Sequence, residues 1–228
     1  MGLICFDLDG TLVDPLRAMQ HCAELTYHEF GLEAPSREEV SATVGLGAAM
    51  LFSHHPEFQN PARRAAALES YWAHFADTGI VKHRIYDGVH LMLARLKRQG
   101  HRLYLVTVLP TRLAKQVLHQ FDLLLAFDEV FGSTPASPDR SKGDVLAGLR
   151  EQGVIATRGF LVGDRAEDML VAKANDLTAL GVTYGFGTRE ELRAAGAEAI
   201  FDQVPLLDDW FKSKLQDPER HDAFTRSE

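Results

Sequence analysis

Short apolar runs alternate with longer stretches of helical periodicity through most of the chain. Leu3-Ile4-Cys5-Phe6 opens it as four apolar residues in a row, which predicts a buried strand of a parallel sheet. Leu103-Tyr104-Leu105-Val106, Val130-Phe131, Phe160-Leu161-Val162, Leu177 to Val182 and Ala199-Ile200-Phe201 repeat the strand signal. Helical patterns separate them, over Val89 to Leu96, Pro110 to Phe121, from Lys142, after Asp164, and over Val204 to Leu215. Strands alternating with helices predict an α/β fold with a parallel sheet covered on both faces.

Between Pro15 and Arg84 the strand signal is absent. Asp14-Pro15 predicts an N-cap with proline at the first helical position, and Gly31 ends that helix. Ser36-Arg37-Glu38-Glu39 is a capping box for a second helix, broken by Gly45-Leu46-Gly47. A third covers Ala48 to His54. A fourth starts at Asn60-Pro61, runs through Tyr71, Trp72 and Phe75, and ends at Gly79. Residues 15–84 therefore read as a helical bundle inserted after the first strand, with residues 1–14 and 85–215 forming the α/β core. Residues 216–228 are mostly polar and are expected to fray. Ser133 to Arg140 reads as a loop, and His54-His55, Arg63-Arg64 and Lys82-His83-Arg84 as solvated groups.

Composition narrows the class. The 228 residues carry 46% hydrophobic and 25% charged side chains, ordinary for a globular chain. A net charge of -8 argues against nucleic acid as a partner. No apolar run reaches the roughly 20 residues of a membrane span, and the start lacks signal-peptide features. Two cysteines make no disulfide framework. The expectation is a cytoplasmic protein, monomer or homodimer, with no membrane partner.

The chemistry concentrates at strand ends. Asp7 and Asp9 follow the first strand, and residues at i and i+2 of an extended chain project to one side. Ligands of open α/β sheets bind at the carboxyl ends of the strands. Two carboxylates so close repel each other, and desolvation worsens the repulsion. Both stay ionised only beside a cation, and a hard divalent ion with oxygen ligands, Mg2+, fits. Thr107 ends another strand, Lys142 opens a helix, and Asp164 ends a third strand with Asp168 four residues on.

Asp7-Leu8-Asp9-Gly10-Thr11-Leu12-Val13-Asp14 resembles the first motif of the haloacid dehalogenase superfamily of hydrolases, in its phosphatase form. Thr107, Lys142 and Gly163-Asp164 with Asp168 are similar to the three later motifs. Two positions depart from the pattern: Val108 replaces a frequent Asn, and Gly143 a frequent Pro. The resemblance implies a Rossmann-like core with the insert as a cap, most similar to that of phosphoglycolate phosphatases. It implies Asp7 as nucleophile and Asp9 as acid and base. Thr107, the backbone N–H of Val108 and Lys142 would bind the phosphoryl group. Asp7, Asp9 through its carbonyl, Asp164 and, in support, Asp168 would hold Mg2+. The expected activity is hydrolysis of a small phosphorylated metabolite, phosphoglycolate-like or a sugar phosphate, through an aspartyl-phosphate. A β-phosphoglucomutase-type transferase and a silent binding protein are the alternatives. Phosphonate hydrolysis is disfavoured, because Lys82 is the only lysine of the insert and sits at its end.

Overall fold

The computed structural model describes residues 2–134, 141–155 and 159–215. The expected tail and most of the Ser133–Arg140 loop lie outside the described residues. The chain enters on β1 (Leu3–Phe6) and turns into a two-residue strand, β2 (Val13–Asp14). Helices α1 (Leu16–Glu29), α2 (Arg37–Thr43), α3 (Met50–Ser53) and α4 (Pro61–His74) follow, before β3 (Arg84–Ile85). Then come α5 (Val89–Arg98), β4 (Arg102–Pro110), α6 (Thr111–Gln120) and β5 (Glu129–Ser133). The remainder is α7 (Lys142–Glu151), β6 (Phe160–Gly163), α8 (Ala166–Ala174), β7 (Thr178–Val182), α9 (Arg189–Ala194), β8 (Ala199–Phe201) and α10 (Val204–Leu215).

Six strands form one parallel sheet in the order β5-β4-β1-β6-β7-β8. β1 is interior, with Phe6 in register with Leu105 of β4 and Val162 of β6. Alternate residues serve opposite faces, as a pleated strand requires. Ile4, Phe6, Leu105 and Val162 pack with α5, α6 and α10, while Leu3, Cys5, Val106 and Leu161 pack with α7, α8 and Leu192 of α9. The fold is therefore the α/β, Rossmann-like one the alternation predicts, and the C-terminal ends of β4, β1 and β6 are neighbours.

Among the described residues the insert holds helices and their connecting turns, with no strand between Pro15 and His83. Phe52 packs edge-on against Phe58 and Tyr71, and stacks on Tyr27. Full burial of a phenylalanine contributes about 1.5–3 kcal/mol, so Phe52 and Phe58, with no exposed area, anchor this small bundle. Its core is continuous with the face of the sheet that holds Phe6. The chain crosses between sheet and insert twice, and the crossings pair side by side as the antiparallel β2–β3 ribbon, Asp14 opposite Arg84.

Three local expectations need correction, and one helix was not predicted. Helix α1 begins at Leu16 rather than Pro15, but Asp14 still caps it, its Oδ1 accepting from Leu16 N at 2.9 Å. Pro110 ends β4 instead of starting α6, its fixed φ suiting both. Arg84 is paired in a strand. Helix α9 has no counterpart in the periodicity, since only Leu192 of its six residues is buried; its signal was the Thr188/Glu191 capping box.

Candidate active site

Asp7 continues β1 by one residue, its N–H donating to Val162 O at 2.9 Å. The chain then turns at Gly10, whose φ of +86° suits glycine, and a Cβ there would lie 2.1 Å from Asp164 Oδ2. This close passage brings the turn after β1 against the end of β6. Asp164 Oδ2 accepts from Phe186 N at 2.8 Å, and Oδ1 has no hydrogen-bond partner. Asp168, in the first turn of α8, spends both oxygens: Oδ1 accepts from Lys142 Nζ at 2.7 Å and Oδ2 from Arg165 N at 3.1 Å. Lys142 is presented by the Ser141/Asp144 capping box of α7 and reaches 3.0 Å from Asp7 Oδ2, an ion pair without hydrogen-bond geometry. Asp7, Lys142, Asp164 and Asp168 are all buried.

One oxygen each of Asp7, Asp164 and Asp168 lies within 4.8 Å of the others. Only one ammonium, that of Lys142, is paired to this cluster among the described residues. The imbalance shows in the titration of the groups. Burial pushes Asp7 up to about 7, Lys142 opposing and Asp168 adding to it. Burial likewise lifts Asp9 to about 7. Asp164 is held well above its ordinary value, by burial and then by Asp7 and Asp168. Burial works against the Lys142 charge, but Asp168 and Asp7 outweigh it and hold it well above its ordinary value. The acid cluster, with Asp164 Oδ1 buried and without a hydrogen-bond partner and Asp7 Oδ2 met only by the Lys142 ion pair, is a donor set that a hard divalent cation fits.

Above this floor lies a cavity of about 30 Å³, of the order one water occupies. Asp9, Val108 and Leu109 line it from the sheet, and Met19, Thr43, Gly45, Gly47, Tyr71, Trp72 and Phe75 from the insert. Thr107 is buried inside β4, at the register shift between Val106 and Pro110 rather than at the strand's end as expected, its Oγ1 accepting from Leu109 N at 3.2 Å. The structure thus gathers Asp7, Asp9, Thr107, Val108, Lys142, Asp164 and Asp168 at one end of the sheet.

Two histidines were misplaced by the sequence reading. Lys82 and Arg84 are exposed as expected, but His83 between them is buried, with Nε2 3.9 Å from Asp9 Oδ1. A π-helical turn over Phe75–Gly79 and a 3-10 turn over Ile80–Lys82 rotate it inward. His55 is half-buried against Tyr27 and Phe58 rather than solvated. The aromatic roof and the Phe186 N–H were also missed. Tyr71, Trp72 and Phe75 carried a signal, but helical spacing is equally that of a core face.

A family model described as "Haloacid dehalogenase-like hydrolase" matches residues 4–182. A 5'-nucleotidase of Pseudomonas aeruginosa is 31% identical over 192 residues, covering 84% of this chain and 86% of the relative. A phosphoglycolate phosphatase of Rhodospirillum rubrum is 30% identical, over 91% of this chain and 89% of its own. The crystal structure of a predicted phosphatase from Clostridium acetobutylicum superposes with a TM-score of 0.82 at 30% identity, covering 93% and 98% of the two chains.

Proposed function

The chain belongs to the haloacid dehalogenase-like hydrolases and is a phosphoric monoester hydrolase, and from this premise we propose that it cleaves a small phosphorylated metabolite through a covalent aspartyl-phosphate on Asp7. The observation that carries the reading is Lys142, whose ammonium lies between Asp7 and Asp168 while Asp164 keeps an oxygen free beside them. The Lys142 ammonium, together with a cation at the free Asp164 oxygen, would offset the charge of a phosphoryl group beside Asp7.

An Asp7 oxygen forms a bond to phosphorus as the ester P–O bond breaks. Asp9 gives its proton to the departing oxygen. Asp9, now a carboxylate, takes a proton from the water that attacks the aspartyl-phosphate, which restores Asp7 and releases phosphate. Lys142, the Thr107 hydroxyl and the Val108 N–H offset charge on the equatorial phosphoryl oxygens, the main demand of phosphoryl transfer. Asp7, the Asp9 carbonyl and Asp164 would hold Mg2+, with Asp168 holding Lys142 beside them. When bound, the ion would supply Lewis-acid stabilisation of the same phosphoryl charge.

Residues 15–84 act as the cap of the core formed by 1–14 and 85–215. The cavity beneath them, about 30 Å³, is small beside a phosphate ester, which supports entry of substrate with the cap displaced about the β2–β3 crossing. Phosphoglycolate-like esters and sugar phosphates lead, and the Pseudomonas relative adds nucleoside 5'-monophosphates. The partner is the small substrate alone, in the cytoplasm; among the described residues no helix is long and apolar enough to cross a membrane. The test is turnover of p-nitrophenyl phosphate with Mg2+, followed by a panel of phosphoglycolate, sugar phosphates and nucleotides. No turnover, with no change on Asp7→Asn, would remove the enzyme mechanism. Interconversion of sugar phosphates without free phosphate would favour the mutase.

A further inference from the structure

We propose that His83 is a positioning residue for Asp9, accepting the proton of the Asp9 carboxyl on Nε2 and holding it ready for the departing oxygen. The inference rests on the acid role assigned to Asp9 above.

Backbone geometry decides which ring nitrogen is free. Nδ1 lies 3.2 Å from Gly79 O and 3.1 Å from Ile80 O. Carbonyl oxygens only accept, so Nδ1 carries a hydrogen, and in the neutral ring the lone pair is then at Nε2. Phe75 packs edge-on against the ring at 5.3 Å. Both Nε2 and Asp9 Oδ1 are buried without a hydrogen-bond partner, and they face each other at 3.9 Å. Orphaned polar atoms cost free energy unless they serve each other or a ligand. The remaining approach is about 1 Å, a common shortfall of catalytic contacts before substrate binds.

The pairing is selective. A lone pair on Nε2 matches Asp9 as an acid, O–H to N, and mismatches it as a carboxylate. The proton rests between Oδ1 and Nε2, then turns with the carboxyl toward the ester oxygen as that P–O bond breaks. The carboxylate left behind takes the next proton from water, and His83 receives it again. No proton is gained or lost by the pair over a cycle. His83 immediately precedes β3, on the insert side of the crossing, whereas Asp9 belongs to the sheet side. The contact therefore forms across the boundary between the two, and only while the insert is seated.

Two esters of nearly equal shape separate this from a structural role. Phenyl phosphate has a leaving group of pKa about 10 that needs a proton, whereas p-nitrophenolate departs with little help. His83→Asn keeps an amide N–H near the Nδ1 position and removes Nε2; His83→Gln places its amide near Nε2. The expected result is that His83→Asn lowers kcat/KM by about 10–100-fold for phenyl phosphate and under about 3-fold for p-nitrophenyl phosphate. His83→Gln recovers part of the loss, and Asp9→Asn shows the same split more strongly. Equal losses on the two esters, no loss, or better activity in His83→Asn than His83→Gln would overturn the inference. A wild-type enzyme that hydrolyses neither ester would instead remove the phosphatase mechanism beneath it.

Discussion

The sheet side and the insert side of the cavity use different materials. From the sheet come Asp7, Asp9, Asp164, Asp168 and Lys142, on or beside the ends of adjacent strands and helix starts, most of them with fixed partners. From the insert come Met19, Thr43, two glycines, Tyr71, Trp72 and Phe75, with no charged side chain among them. His83 is the exception, a polar ring carried by the insert and aimed at the floor. Charge handling thus sits on the rigid sheet, where preorganised groups need little rearrangement during reaction. On the proposed reading, shape recognition falls to the insert, which would move aside to admit substrate. The division predicts that floor variants lose turnover on every ester, while roof variants redistribute preference among esters.

The largest expected effect is at the nucleophile. Asp7→Asn should lower kcat by about 10⁴-fold or more on all esters, checked by phosphate release. Lys142→Met comes next, with a fall in kcat of about 10²–10³-fold. It also leaves Asp7 and Asp168 buried without their cation, a loss of about 3–5 kcal/mol by urea denaturation, partly restored by Mg2+. A mutant of unchanged stability without Mg2+ would contradict the charge assignment. Trp72→Ala should act on KM and on the ranking of the substrate panel, by about tenfold or less, with kcat for p-nitrophenyl phosphate nearly unchanged. An equal loss on every ester would erase the contrast between roof and floor.

The smallest effect lies far from the site. Arg95 Nε donates to Asp208 Oδ1 at 2.7 Å, pinning α10 to α5. Burial pushes Asp208 up, but hydrogen bonds from Lys212 and Arg95 outweigh it and hold the carboxyl below its ordinary value. A folded pKa below the unfolded one stabilises fully above the unfolded value, about 3.9, and the contribution is lost as pH falls through the folded value. Asp208→Asn should lower Tm by about 2–4 °C at pH 7, with the deficit shrinking below pH about 4.

The floor was legible because phosphoryl chemistry demands particular residue types at strand ends, and buried apolar runs mark those ends. Asp7 after Phe6, and Asp164 after Val162-Gly163, could be placed from one-dimensional pattern alone. The Lys142 contact with Asp168 joins positions 26 apart, and the spacing of Asp164 and Asp168 gave no hint of it. His83 was not legible, since both its neighbours are exposed and its burial comes from an irregular π and 3-10 turn that no simple period describes. The β2–β3 ribbon has two residues per strand, too short for alternation to show. Tyr71, Trp72 and Phe75 were visible as an apolar face, but whether that face meets a core or a substrate depends on which element lies opposite.

The most direct test is a single-turnover acid quench of Asp9→Asn with [32P]-labelled p-nitrophenyl phosphate, followed by peptide mapping. The account predicts label on the peptide carrying Asp7, released by hydroxylamine as an acyl phosphate is. Label on another residue, or full phosphate release with no protein-bound label at any time, would contradict it.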